Sequence, residues 1–148
     1  MMKDVVIYVH SSHGYDRGEG DVTEFTTDGL YSYDGDTACI TYMESEVTGL
    51  EGTRTSVIVM PDKVVVDRDG TITSRMIFQE GMKNSFQYDT PYGSAVLGVA
   101  ARKIEHSFDE NGGKMELDFV VDMDHAAVSR SKFEVTVKMQ ELGGTANG

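Results

Sequence analysis

The chain has 148 residues, 39% of them hydrophobic, and carries a formal net charge of −12 from 25 acidic and 13 basic side chains. That is the length and mixture of one soluble globular domain with a single core rather than of a disordered chain. The negative field repels phosphate backbones and anionic bilayers, so nucleic-acid and membrane partners are not expected, and the acidity reads first as a solubility device.

At the N-terminus the apolar stretch in MMKDVVIYVHSSHG is too short for a signal-peptide core. No later segment reaches the ~20 apolar residues of a membrane helix. Cytoplasmic residence is the expectation. From there the chain reads as strands: DVVIYVH, DVTEFTT, TACITYMESE, RTSVIVM, KVVVDR, SRMIFQE, NSFQYD and SAVLGVAARKIEHSF. They are β-branched, aromatic or alternating in apolar and polar residues. Cys39 sits inside the third run with no partner, which excludes an intrachain disulfide and a thiolate zinc site, and it reads as a small buried apolar residue.

The last two strands are the clearest. In KMELDFVVDMD, Met115, Leu117, Phe119, Val121 and Met123 share one face while Glu116, Asp118, Asp122 and Asp124 take the other. KFEVTVKMQ repeats the pattern with Phe133, Val135, Val137 and Met139. Asp28-Gly29, Asp34-Gly35, Asp69-Gly70 and Asn111-Gly112 read as hairpin turns, with Pro61-Asp62 as a further turn. The best helical candidate is HAAVSRS, residues 125–131.

About ten strands joined mostly as hairpins must hide their edges. The expected fold is all-β, a closed antiparallel up-and-down barrel of about eight to ten strands. Residues 1–142 form its single domain and 143–148 a disordered tail.

Five blocks, ITYMESEVTGLEGTRTSV, VVVDRDG, MIFQEG, YDTPYGSAVLGV and SKFEVTVKM, resemble in order and spacing the YwiB-like family of small, uncharacterised bacterial proteins, from about Val5 to Met139. The matching positions are Tyr42, Glu44, Gly49, Arg68, Gly70, Phe78, Gly81, Tyr88, Thr90, Pro91, Tyr92 and Gly93; HSSHGYDRGEGD departs from the pattern. The resemblance implies a calycin-like barrel, related in shape to lipocalins and fatty-acid-binding proteins. It implies no activity, so no catalytic residue and no cofactor are carried over.

Chemistry is sought where polar side chains fall on apolar faces. Arg68 lies in register with Val64 and Val66, and Glu44 continues the face of Ile40 and Tyr42. If those faces point inward, a cation and a carboxylate approach the interior and must pair with each other, with tyrosine hydroxyls or with a ligand. The alternative places both at strand ends on the solvated rim. Arg102 stays open, because apolar character swaps faces midway along SAVLGVAARKIEHSF, as at a bulge. Tyr88, Thr90 and Tyr92 alternate onto one side of QYDTPYGS, which reads as a strand-to-strand corner with aligned hydroxyls.

The four histidines give no metal site: His10 and His13 fall on opposite faces of a strand, and His106 and His125 lie on separate segments. DRDG, residues 67–70, lacks the further ligands of a calcium loop and is a turn. Met43, Met60, Met76, Met115 and Met123 are core filling or the lining of an adaptable cavity.

Three readings remain. The leading one is a barrel that holds a small amphipathic or anionic ligand at Arg68, Tyr42, Glu44, Tyr88, Thr90, Tyr92 and Arg102. The second is a solid barrel acting through its surface or a homo-oligomer interface, with Tyr31, Tyr33 and Tyr92 as contacts. The third is an enzyme using Glu44 with Arg68 or His106.

Overall fold

The computed structural model describes residues 2–14, 21–48, 50–123 and 126–140. Ten strands follow one another: β1 (Lys3–Gly14), β2 (Asp21–Tyr33), β3 (Ala38–Met43), β4 (Arg54–Val59), β5 (Val64–Asp69), β6 (Thr73–Phe78), β7 (Lys83–Thr90), β8 (Gly93–Asp109), β9 (Gly112–Met123) and β10 (Ala126–Met139). A 3-10 turn, Glu46–Thr48, lies between β3 and β4. Each strand pairs antiparallel with its neighbours in sequence, and β1 pairs with β10 to close the ring. The expected up-and-down barrel forms at the upper end of the expected strand number, and closure gives each strand a paired neighbour on both sides, although β6 and β7 pair only at Thr73 with Asp89 and Ser74 with Tyr88. Among the described residues no helix is long and apolar enough to cross a membrane.

Alternation decides what lies inside. Val5, Ile7 and Val9 of β1 point inward, as do Met115, Leu117 and Phe119 of β9 and Phe133, Val135 and Val137 of β10. Their partners in between face water.

At the end of the barrel where β2 meets β3 and β8 meets β9, side chains fill the interior. Tyr31, Ile40, Val64, Met115 and Leu117 are fully or almost fully buried there. The Tyr31 hydroxyl donates to the Asp109 carbonyl at 2.6 Å, and its ring lies 6.0 Å from that of Phe108. Phe78 and Phe119 meet edge to face at 4.8 Å, a geometry that adds to their area burial. Turns hold the opposite end. Gly70 takes φ +147°, and a Cβ there would sit 2.2 Å from the Gly52 carbonyl oxygen, so the Asp69-Gly70 turn needs glycine on both counts.

Three expectations are corrected by the backbone. HAAVSRS is no helix: from Ala126 onward it is the first part of β10, pairing with β1 and β9. Asp28-Gly29 is no turn: both residues lie within β2, and Gly29 is there because a Cβ would meet Ile7 Cδ1 and the Thr41 carbonyl oxygen. Cys39 is half-buried rather than buried. The face swap in β8 is a bulge, with the register shifting between Ala101 and Lys103. His125, Gly49 and the tail 143–148 lie outside the described residues.

Candidate functional site

Five consecutive strands bring one polar residue each to a common level. Tyr42 on β3 is directly opposite Thr55 on β4, Thr55 opposite Arg68 on β5, Arg68 opposite Ser74 on β6, and Ser74 opposite Tyr88 on β7. Direct cross-strand partners share a face, and this face is the inner one. Tyr42, Thr55 and Ser74 are buried, and Arg68 and Tyr88 partly so. The same local cause recurs on every strand: an inward apolar series ends in a polar residue. Ile40 gives way to Tyr42, Val57 to Thr55, Val66 to Arg68, Met76 to Ser74, and Phe86 to Tyr88.

Glu44 follows two residues beyond Tyr42, where its backbone N–H donates to the Thr53 carbonyl at 2.9 Å. Only 2% of its side chain is exposed. The Thr55 hydroxyl donates to Glu44 Oε2 at 2.5 Å, and Arg68 Nε lies 3.8 Å from the same oxygen. That separation is an ion pair, yet too long for a hydrogen bond. Arg68 Nε therefore keeps an unused N–H in a buried setting, and the Tyr42 hydroxyl and Ser74 Oγ likewise complete no hydrogen bond. Each such group costs about 1–3 kcal/mol when left without a partner. Burial pushes the Tyr42 hydroxyl above the ordinary tyrosine range, the Glu44 charge adds to the rise, and Arg68 opposes it. A contact with the Glu44 carboxylate that falls short of hydrogen-bond geometry contributes to the same rise.

Beside this row the barrel is hollow. A cavity of about 360 Å³ is lined by Tyr42, Glu44, Arg68 and Tyr88 and by the apolar Val66, Met76, Phe78, Phe86, Phe119 and Phe133. Ser11, Thr23, Ser129, Ser131 and Lys132 complete its lining towards the strand ends. The cavity begins where the Phe78–Phe119 pair ends the packed core.

Four of the seven expected site residues thus come together, and Glu44 and Arg68 lie inside rather than on a solvated rim. Three do not join them. Thr90 spends its hydroxyl on the β7–β8 turn, donating to the Gly93 carbonyl at 3.0 Å and accepting from the Tyr92 N–H at 3.0 Å. Tyr92 is 99% exposed at the tip of that turn. Arg102 is exposed at the β8 bulge. Nor does His106 approach Glu44: it borders a separate cleft with Tyr33, Asp36 and Phe108. Of the methionines, Met76 lines the cavity, Met115 is core, and Met43 and Met123 are largely exposed.

The sequence matches, over residues 7–135, the family described as "Domain of unknown function (DUF1934)". The chain belongs to the DUF1934 family. The "Uncharacterized beta-barrel protein YwiB" of Bacillus subtilis (strain 168) is 26% identical over 104 residues, spanning 70% of this chain and 72% of that protein. The crystal structure of the ywiB protein from Bacillus subtilis has a TM-score of 0.82 at 22% identity, covering 94% of this chain and 93% of its own. The fold is shared, and the YwiB-like resemblance stands. The DUF1934 description assigns no activity.

Sequence reasoning missed two members of the row in this DUF1934 chain, Thr55 and Ser74. The signal was present: each continues an apolar parity, Val59–Val57–Thr55 and Phe78–Met76–Ser74, as Arg68 does on β5. Reading the hairpin registers across β3 to β7 would have found both.

Proposed function

We propose that this DUF1934 barrel binds a small amphipathic molecule in its hollow half, with the apolar body among the phenylalanines and the polar head against Arg68 and Tyr42. The observation that carries the reading is a hollow whose lining sets Tyr42, Glu44, Arg68 and Tyr88 among phenylalanines, with Arg68 Nε and the Tyr42 hydroxyl buried without hydrogen-bond partners in two of those residues. A stable fold tolerates such donors at a functional site and rarely elsewhere. The cavity volume lies at the small end of the range for ligand pockets, ~300–1,000 Å³, and its mostly apolar wall with a few convergent polar groups is the usual make-up of one. The lipocalin-like shape that the YwiB-like resemblance implies supports the reading by analogy only.

The surface reading fares less well at its named residues. Tyr31 is fully buried, and the Tyr33 hydroxyl is bonded to the Gly35 carbonyl at 2.8 Å. Tyr92 alone of the three is fully available.

Fluorescence titration with N-phenyl-1-naphthylamine, a neutral amphipathic probe, tests the cavity. Saturable binding to the native protein is expected, weakened at least tenfold by Leu97→Trp, which enlarges a lining residue. The circular dichroism spectrum should be unchanged. Failure of the probe to saturate, or equal affinity in the plugged variant, would sink the reading.

A further inference from the structure

The lining of the cavity ends abruptly along each strand. Val9, Phe119 and Phe133 belong to it and keep 4%, 7% and 8% of their surface exposed, while the next inward residues on the same strands, Ile7, Leu117 and Val135, keep none. The edge-to-face pair Phe78 and Phe119 forms the floor, and the fully buried Val64, directly opposite Phe78 on β5, continues the packed core there. In the other direction the tallest wall is β10, where Ser129, Ser131 and Phe133 occupy successive inward positions. Such positions are about 7 Å apart, so this wall runs about 13 Å along the strand. A strand tilt of about 35–45° leaves about 10 Å of depth. Nearer the strand ends the lining is polar, with Ser11, Thr23 and Ser129. Phe78, Phe86, Phe119 and Phe133 supply four aromatic rings to the remainder.

We infer that the cavity takes a short, ring-bearing apolar body and excludes a long acyl chain. This rests on the cavity being a ligand site. An acyl chain of membrane length spans about 15 Å, half of the ~30 Å hydrocarbon core. With the floor shut, its last carbons would be left among hydroxyls or in water, where they gain nothing from burial. A fused or substituted aromatic ring is broad rather than long, and it can meet the phenylalanines in the offset and edge-on geometries that aromatic pairs prefer. Phe119 is then a specificity-determining residue: it is the last lining residue of β9 before the sealed core, and its ring sets the depth.

Primary alcohols share one uncharged head and differ in the body, so they provide the test. Displacement of N-phenyl-1-naphthylamine is followed by fluorescence with hexan-1-ol, octan-1-ol, dodecan-1-ol and naphthalen-2-ylmethanol. Each methylene that is buried strengthens binding about fourfold, so affinity should climb from hexan-1-ol to octan-1-ol. It should then stop: dodecan-1-ol binds within tenfold of octan-1-ol, and naphthalen-2-ylmethanol binds more tightly than both. A gain of tenfold or more from octan-1-ol to dodecan-1-ol overturns the inference, as does naphthalen-2-ylmethanol binding less tightly than either chain. Phe119→Ala should raise the affinity for dodecan-1-ol relative to octan-1-ol at least fivefold. A smaller change in a folded variant overturns the role of Phe119, and the native series decides alone if the variant does not fold. If the naphthylamine saturates the cavity but no alcohol displaces it, the inference about the body fails and the cavity reading survives. If the naphthylamine fails too, both fall.

Discussion

Single residues here report their surroundings through what their polar atoms lack or hold. Arg68 and Tyr42 sit where an apolar parity ends and keep unused donors. Tyr31 is the opposite case, a hydroxyl buried in the packed half and satisfied by the Asp109 carbonyl. Burial, with the charge of Asp109 and the neighbouring Tyr33 adding, pushes its hydroxyl up to about 12 from an ordinary value of 10.0. The sign follows directly. In the unfolded chain Tyr31 loses its proton near pH 10, but the folded protein holds it until about pH 12. The folded state's advantage from this group is whole below pH 10 and drains away as pH rises through that window. Tyr31→Phe should lower stability by about 1 kcal/mol at pH 7 through the lost hydrogen bond. It should also flatten the decline above pH 10, measured by urea unfolding at intervals across the window. Parallel decline in both proteins would refute this account.

Elements show where sequence patterns fail and why. Strands whose inner face meets the packed core, β9 and the later part of β10, were plain from alternation because every inward position is apolar. The start of β10 was not, since its inward Ser131 faces the cavity and not the core. A strand that lines a hollow loses the apolar half of its signature, so HAAVSRS resembled a helix more than a strand. Parity also set Arg68 and Glu44 on apolar faces, with the interior and a solvated rim both open to them, but it carried Thr90 and Tyr92 too far, into a turn where alternation has no meaning. The bulge in β8 was visible as a swapped face, although its brace was not. The loop between β6 and β7 sends the Glu80 carboxylate to the Ile104 N–H at 2.7 Å, and the Gly81 N–H donates to the Ala101 carbonyl at 3.4 Å. These bonds occupy backbone groups on either side of the bulge, beyond Ala100, where the pairing of β8 with β7 ends. Glu80→Ala should cost about 1 kcal/mol and speed hydrogen exchange at the Ile104 amide, with Glu80→Gln retaining part of the protection. Unaltered exchange at Ile104 in Glu80→Ala would show the brace to be idle.

At the scale of the whole molecule, nine pairings join strands adjacent in sequence and one does not: β1 with β10, where Val5 meets Met139 and Val9 meets Val135. Hairpins form in microseconds, whereas bringing together the two ends of the chain carries the largest loop-closure entropy. The closing seam is also a wall of the hollow half, with Val9 and Ser11 on one side of it and Ser131 and Phe133 on the other. The cavity therefore comes into being only when the ring shuts, after most of the hairpins exist. A ligand that needs the closed ring has nothing to grip in the transition state for folding, so it should slow unfolding in proportion to occupancy and leave the refolding rate untouched. Stopped-flow refolding and unfolding at graded concentrations of N-phenyl-1-naphthylamine would separate the two limbs, and acceleration of refolding would place the seam early. Residence in the barrel would then act as a latch on the native state: the occupant guards the protein against opening and has no part in its assembly.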